Sequence, residues 1–262
     1  MKILLCMKQV PDTNEVRIDQ KTGTLIREGV PSIINNDDKN ALEEALRLKD
    51  KYKDVEITLV SMGPPQADVA LREALAMGAD HAVLITDRAF AGADTLATSR
   101  TLAAAIRKLG SFDIILCGRQ AIDGDTAQVG PQLAEHLNLP QITYVQKLEI
   151  DGKKVIAQRA LEDGYEIIET QMPCVLTAIK ELNVPRYANV VGIYEAYREK
   201  IVKVMVAKDL DMNPDYMGLN GSPTNVKQTY TPAPKGKGMM LEGDGKETVH
   251  DLVRRIKEKH II

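Results

Sequence analysis

VEITLVSMGPPQADVALREALAMGADHAVLIT, Val55 to Thr86, decides the fold. It opens on an apolar run, Val55–Gly63, of the length of a buried strand. Gln66–Met77 then brings apolar residues round at helical spacing and closes on Gly78, a residue suited to ending a helix. His81–Thr86 is a second apolar run. Strand, helix and strand within about thirty residues form a crossover unit, which joins two parallel strands of one sheet.

The same alternation extends both ways. Upstream, Lys2–Val10 reads as a strand and Val16–Arg27 as a small hairpin turning at Gly23. Asp37–Lys53 reads as a helix striped by Ala41, Leu42, Ala45, Leu46 and Leu48. Asn36, Asp37 and Asp38 suit its start, where free N–H groups want acceptors. Downstream, Asp94–Leu109 is a helix capped by Asp94 and stopped by Gly110. Phe112–Cys117 is a strand and Asp125–Leu137 a helix. The expected class is α/β, with a doubly wound, mostly parallel sheet covered on both faces.

After Pro140 the pattern changes. QITYVQKLEIDGKKVIAQRALEDGYEIIETQ holds three strand-like segments joined at Asp151-Gly152 and Asp163-Gly164, both hairpin-turn signals. An antiparallel hairpin extension of the sheet is expected. Cys174–Leu182 reads as a buried strand and Asn189–Arg198 as a short helix. From about Lys200, Pro, Gly, Asn and Thr dominate until Thr248–Ile262 resumes an amphipathic helix (Val249, Leu252, Val253, Ile256, Ile261). The expected division is an α/β domain at 1–199 and, at 200–262, an extended C-terminal arm ending in a helix. That arm lies on a partner subunit or docks on its own chain.

Composition narrows the function. The 262 residues are 44% hydrophobic, enough for a sizeable core, with a formal net charge of −3 and both signs interspersed. No basic face stands out, and aromatics are 4% with no Trp, which argues against a nucleic-acid partner. MKILLCMKQVPD is broken by Lys8 and lacks a small-residue cleavage site, so neither a signal peptide nor membrane insertion is expected. Cys6, Cys117 and Cys174 are far apart, which suggests a reducing, cytoplasmic setting without disulfides. The four histidines are scattered, and no metal is expected.

In a doubly wound sheet, ligands bind at the carboxyl ends of the strands. The candidate loops are therefore Cys6–Asp12, Ile34–Asp38, Met62–Gln66, Asp87–Thr98 and Cys117–Gln128. None carries a GxGxxG or P-loop pattern, and GxSxG and HExxH are absent. CGRQAIDGDTAQVGP (Cys117–Pro131) nonetheless suits an anion cradle. Gly118 and Gly124 allow close backbone approach, and Asp125 to Gln128 would open a helix with free N–H groups. The plain alternative is that Asp125 only caps a helix and Gly124 only permits a turn. The chain reads as a holder of a cofactor.

These loops, taken in order, resemble the β subunit of electron-transferring flavoproteins. The resemblance runs through nearly the whole chain: KQVPD, NALEEALRLKD, SMGPPQA, ALAMGAD, GRQAIDGDTAQVGP, the strand pair around Arg159 and Glu166, and LNVPRYANV. It implies a Rossmann-like, adenine-nucleotide-binding domain in an obligate heterodimer with an α subunit, embraced by the C-terminal arm. The isolated chain would have no activity of its own. In ordinary members the β site holds AMP as a structural ligand. In bifurcating members, found largely in anaerobes, it holds an FAD that takes hydride from NADH. The electrons then go separately to ferredoxin and, through the α-subunit FAD, to a partner flavin dehydrogenase.

TDRAFAGADTLATSR, GDTAQVGP and GSPT resemble the bifurcating members, which makes FAD the expected ligand and AMP the alternative. INNDD has Asn36 where the family commonly has proline. Carried over by motif, Gly124, Asp125, Thr126, Ala127 and Gln128 would hold the pyrophosphate. Cys6, Asn36, Asp38, Met62 and Gly63 would surround the adenosine, and Asp94, Thr95, Thr98 and Arg119 would meet the flavin end, with a place nearer the phosphates the alternative for Arg119. Lys8, Cys117, Gln120, Asp123 and Val129 complete the expected binding set. Leu182, Asn183, Val184, Pro185, Arg186 and Tyr187 resemble the loop that anchors a partner. That partner would be an acyl-CoA dehydrogenase or reductase, or a lactate dehydrogenase of the flavin type.

Overall fold

The computed structural model describes residues 1–12, 31–227, 236 and 238–262. The hairpin expected at 16–27 lies outside them. Two compact units result, Met1–Lys227 and Gln228–Ile262.

In the first unit, β1 (Lys2–Cys6), β4 (Glu56–Met62), β5 (His81–Ile85), β6 (Ile114–Gly118), β10 (Cys174–Ala178) and β11 (Val202–Met205) are parallel. β7 (Gln141–Asp151) pairs parallel with β10, then continues through antiparallel β8 (Lys154–Ala160) and β9 (Tyr165–Gln171). Among the described residues the sheet order is β11-β5-β4-β1-β6-β10-β7-β8-β9. The central strands bury both faces, hence unbroken runs such as ITLV and IILC. A two-stranded ribbon, β2 (Gln9–Pro11) with β3 (Ser32–Ile34), stands beside them. The strand expected at Lys2–Val10 is therefore two. The chain breaks at Lys8, whose N–H donates to the Asp38 carboxylate instead of a ladder partner.

Helices α1 (Asn36–Lys51) and α2 (Asp68–Met77) cover one face, and α3 (Thr95–Leu109) and α4 (Val129–Leu137) the other. α5 (Val190–Arg198) lies on α2, where a Cβ on Gly192 would stand 2.3 Å from the Ala76 carbonyl oxygen. The predicted antiparallel extension is present. The first compact unit runs on past 199/200 to Lys227. β11 joins the sheet edge beside β5, and Met205, Leu210 and Met217 enter the core around Phe90.

In the second unit, α6 (Gly245–Glu258) is capped by Asp244, which accepts from the Lys246 and Glu247 N–H groups. None of its residues is buried within the chain. No helix of the described residues is long and apolar enough to cross a membrane.

Candidate functional site

The strand order places a switch point between β1 and β6, because the chain leaves β1 toward β4 on one side and returns through β6 on the other. Such a split opens a crevice at the strands' carboxyl ends. Cys6 and Cys117 stand opposite each other there, buried and both free. Its hydrogen bond with Cys6, and then burial, raise the Cys117 thiol well above its ordinary range. Cys117 thus presents a neutral thiol at the floor of the crevice.

Asp38, in the first turn of α1, closes the crevice from one side. Its two oxygens accept the N–H groups of Lys8 (2.8 Å) and Gly118 (2.8 Å), tying together the ends of β1 and β6. Burial raises its pKa to about 7 despite those hydrogen bonds. Gly118 is required for this approach: a Cβ there would stand 2.3 Å from Asp38 Oδ1.

Asn35, absent from the expected set, is fully buried and does the corresponding work for the next loop. Its Nδ2 donates to the Gln120 carbonyl (2.8 Å), its Oδ1 accepts from Ile122 N–H (3.1 Å), and its own N–H donates to the Lys8 carbonyl (2.9 Å). Asn36, the residue singled out from the sequence, is exposed. The signal was available, since an Asn before a helix is a capping residue, but here its side chain is spent on a neighbouring loop.

The cradle differs from expectation at its helix. α4 begins at Val129, so Asp125, Thr126, Ala127 and Gln128 are loop. Pro131 explains this: a helix begun at Asp125 would put a residue without an N–H in its interior, whereas a start at Val129 leaves it in the first turn. Asp125 and Ala127 adopt left-handed conformations (φ +50° and +53°). Left-handed residues alternating with right-handed ones, such as Gln128 (φ −103°), turn successive N–H groups toward one concavity, an anion-binding arrangement in its own right. Gly124, Asp125, Thr126 and Gln128 are exposed, and space above Gly124 is open. Lys8 pairs with Asp123 at 2.6 Å, and the Gln120 amide donates to Asp125.

The remaining expected residues gather nearby. Thr95 donates to Gln128 Oε1 at 2.8 Å, linking the start of α3 to the cradle. Asp94 caps α3 through Ala97 N–H and also accepts from the N–H and hydroxyl of Thr224. Its own N–H donates to Ser222. The two segments GADTLATSR and GSPT therefore meet. Thr98 is half-buried in the same turn, and Met62 and Gly63 end β4, with Gly63 N–H donating to Ile85. Arg119 lies 3.4 Å from Asp37, whose carboxyl is raised by burial and lowered less by that arginine.

The loop after β10 is anchored on α1. Arg186 donates to both oxygens of Glu43 and to Asp50, and Asn183 bonds Asn40 and Glu44. Leu182 is core, whereas Val184 and Tyr187 are 89% and 95% exposed.

A doubly wound sheet with a polar, glycine-bearing cradle at its switch point defines an α/β protein with a crevice at the carboxyl ends of its strands. The model of the electron transfer flavoprotein domain matches residues 22–209, and the chain belongs to the electron transfer flavoprotein family. It is 62% identical to an electron transfer flavoprotein subunit beta of Thermoanaerobacterium thermosaccharolyticum, over the whole of both chains. It is 57% identical to the caffeyl-CoA reductase-Etf complex subunit CarD of Acetobacterium woodii, again over both whole chains. Identity to the acryloyl-CoA reductase electron transfer subunit gamma of Anaerotignum propionicum is 49%, with the same coverage.

Proposed function

We propose that the chain is the β subunit of a cytoplasmic heterodimeric electron-transferring flavoprotein whose crevice holds an FAD. That FAD accepts hydride from NADH and divides its electrons between ferredoxin and, through the FAD of the α subunit, a partner flavin dehydrogenase. The observation that carries the reading is the Thr95–Gln128 hydrogen bond. It continues the crevice past the phosphate cradle into a second polar loop, which an AMP has no use for.

The donor set suits the group. The exposed Thr126 and the half-buried, left-handed Ala127 offer backbone N–H groups to a pyrophosphate, and Arg119 offers a cation beside it. Asp38, Asn35 and the two thiols give a buried wall for an adenosine. When bound, the flavin supplies the redox chemistry, and the protein supplies position and electrostatics. The acyl-CoA reductase complexes named for the relatives support a partner of the acyl-CoA dehydrogenase or reductase type. The exposed Val184 and Tyr187, on a loop held rigid by α1, suit its docking. The amphipathic pattern of α6 suits the α subunit.

One observation favours an AMP-holding carrier as the second reading: both oxygens of Asp94 already have internal partners. Cofactor stoichiometry decides. The chain is co-expressed with its α subunit, and FAD and AMP are released with acid and counted. Two FAD per heterodimer support the first reading; one FAD with one AMP refutes it in favour of the second.

A further inference from the structure

Tyr144 in β7 has φ +56°. A bulky aromatic residue in the left-handed region is a genuine outlier, kept only where its surroundings over-determine it. The surroundings here are a bulge. β7 pairs with β10 as Ile142 with Leu176 and Val145 with Ala178, so Thr143 and Tyr144 together oppose the single Thr177. The displaced Tyr144 N–H donates to the buried Thr177 hydroxyl at 3.1 Å. Bulges beside active sites re-aim side chains.

The Tyr144 ring meets Arg119, whose guanidinium carbon lies 5.8 Å from the ring centroid. Arg119 directly follows β6 at the switch point, and its N–H donates to the Ala178 carbonyl (2.8 Å) beside the bulge. An arginine near a half-buried carboxylate ordinarily turns to hydrogen-bond it. Here Nε stands 3.4 Å from Asp37 Oδ2 but is buried without a hydrogen bond. Stacking on an aromatic face leaves the in-plane N–H donors of a guanidinium available.

Resting on the nucleotide-holding reading above, we propose that Tyr144 is a positioning residue. Its bulge-held ring keeps Arg119 from closing onto Asp37 and so reserves the guanidinium for an anionic acceptor on the nucleotide in the crevice. Without the ring, Arg119 collapses onto Asp37 and its donors are spent internally.

The test uses the αβ heterodimer stripped of the crevice nucleotide, carrying Tyr144→Phe, Tyr144→Gly or Tyr144→Asn. ADP and FAD are titrated calorimetrically, and Tm is measured without ligand. Gly and Asn accept the left-handed backbone, so Tm is expected to stay level or rise in both. Affinity is expected to fall at least about tenfold in both, and to stay within about twofold of wild type in Tyr144→Phe. A loss shared by ADP and FAD places the acceptor on the phosphates; a loss for FAD alone places it on the ring. Combining Tyr144→Gly with Arg119→Leu is expected to cost no more than Arg119→Leu alone. Full affinity in Tyr144→Gly and Tyr144→Asn overturns the proposal. So does additivity with Arg119→Leu, or affinity that only tracks Tm. A wild-type heterodimer that binds neither probe overturns the underlying functional reading instead.

Discussion

Asp38 makes stability depend on pH in an unusual direction. Burial lifts its pKa from an ordinary 3.8 to about 7, so between those values the folded chain holds a proton that the unfolded chain has released. Unfolding then releases a proton, and stability falls as pH rises through that window, by about 1.4 kcal/mol per pH unit. Between pH 5 and pH 7 the loss from this one group is about 2 kcal/mol, the slope having halved by pH 7. Above about pH 7 both states are ionised and the slope vanishes. Asp38→Asn keeps the shape and removes the titration. The variant loses one of the two acceptors for Lys8 and Gly118, a cost of about 1–3 kcal/mol that does not vary with pH. Urea unfolding of both proteins from pH 5 to pH 8, with the difference plotted against pH, isolates the group from other carboxylates. The variant is expected to gain on the wild type steadily up to neutrality and then run parallel to it. A difference that is flat across the range would refute the claim that burial outweighs the two N–H hydrogen bonds.

Four variants probe the other parts. Gly118→Ala drives a methyl into Asp38 and the α1 backbone and is expected to lower stability by about 1–3 kcal/mol, read as a fall in Tm. Gly124→Trp projects into open space, so Tm should hold while nucleotide copurification with the heterodimer is lost; unchanged nucleotide content sinks the cradle assignment. Arg186→Ala strands the buried Glu43 carboxylate and is expected to cost about 1–3 kcal/mol in urea unfolding, the exposed half of the pair being screened by solvent. Val184→Ala with Tyr187→Ala removes only exposed side chains, so Tm should not move, while partner-dehydrogenase affinity in a pull-down titration should fall at least about tenfold.

Periodicity carried most of the fold. Runs such as Val55–Gly63 and helices such as Asp94–Leu109 are legible because burial on two faces or one stripe dictates their composition. The order of the strands in the sheet, and with it the switch point between β1 and β6, came from the structure. What stayed hidden depends on contacts distant in sequence. Asn35 looks like any helix cap until Gln120 and Ile122 are placed beside it. Leu182 resembles a docking anchor by position yet fills the core, leaving Val184 and Tyr187 as the exposed side chains of that loop. Two signals could have been read. Pro131 forbids a helix starting at Asp125, and the apolar run from Ile201 to Val206, broken only by Lys203, contains β11. The bulge at Tyr144 has no sequence signature, because tyrosine is the least expected residue for it.

Where this chain keeps its buried polar groups is itself informative. Among the described residues the buried carboxylates are Asp38, Glu43 and Glu44, and all three belong to α1. Apolar residues would cover the sheet at lower cost, since a buried charge is rarely a source of stability. Each of the three instead holds something polar that has to stay still. Asp38 ties the two strand ends that frame the crevice. Glu43 fixes Arg186, and Glu44 fixes Asn183, in the loop after β10. α1 is thus one rigid strut with the switch-point crevice on its first turn and the proposed docking loop along its next two. Hydrogen bonds to its carboxylates set the geometry of both, so the strut fixes how far that loop stands from the crevice. Electron transfer demands a constant distance, and a loop pinned only by apolar contacts would leave that distance free to vary.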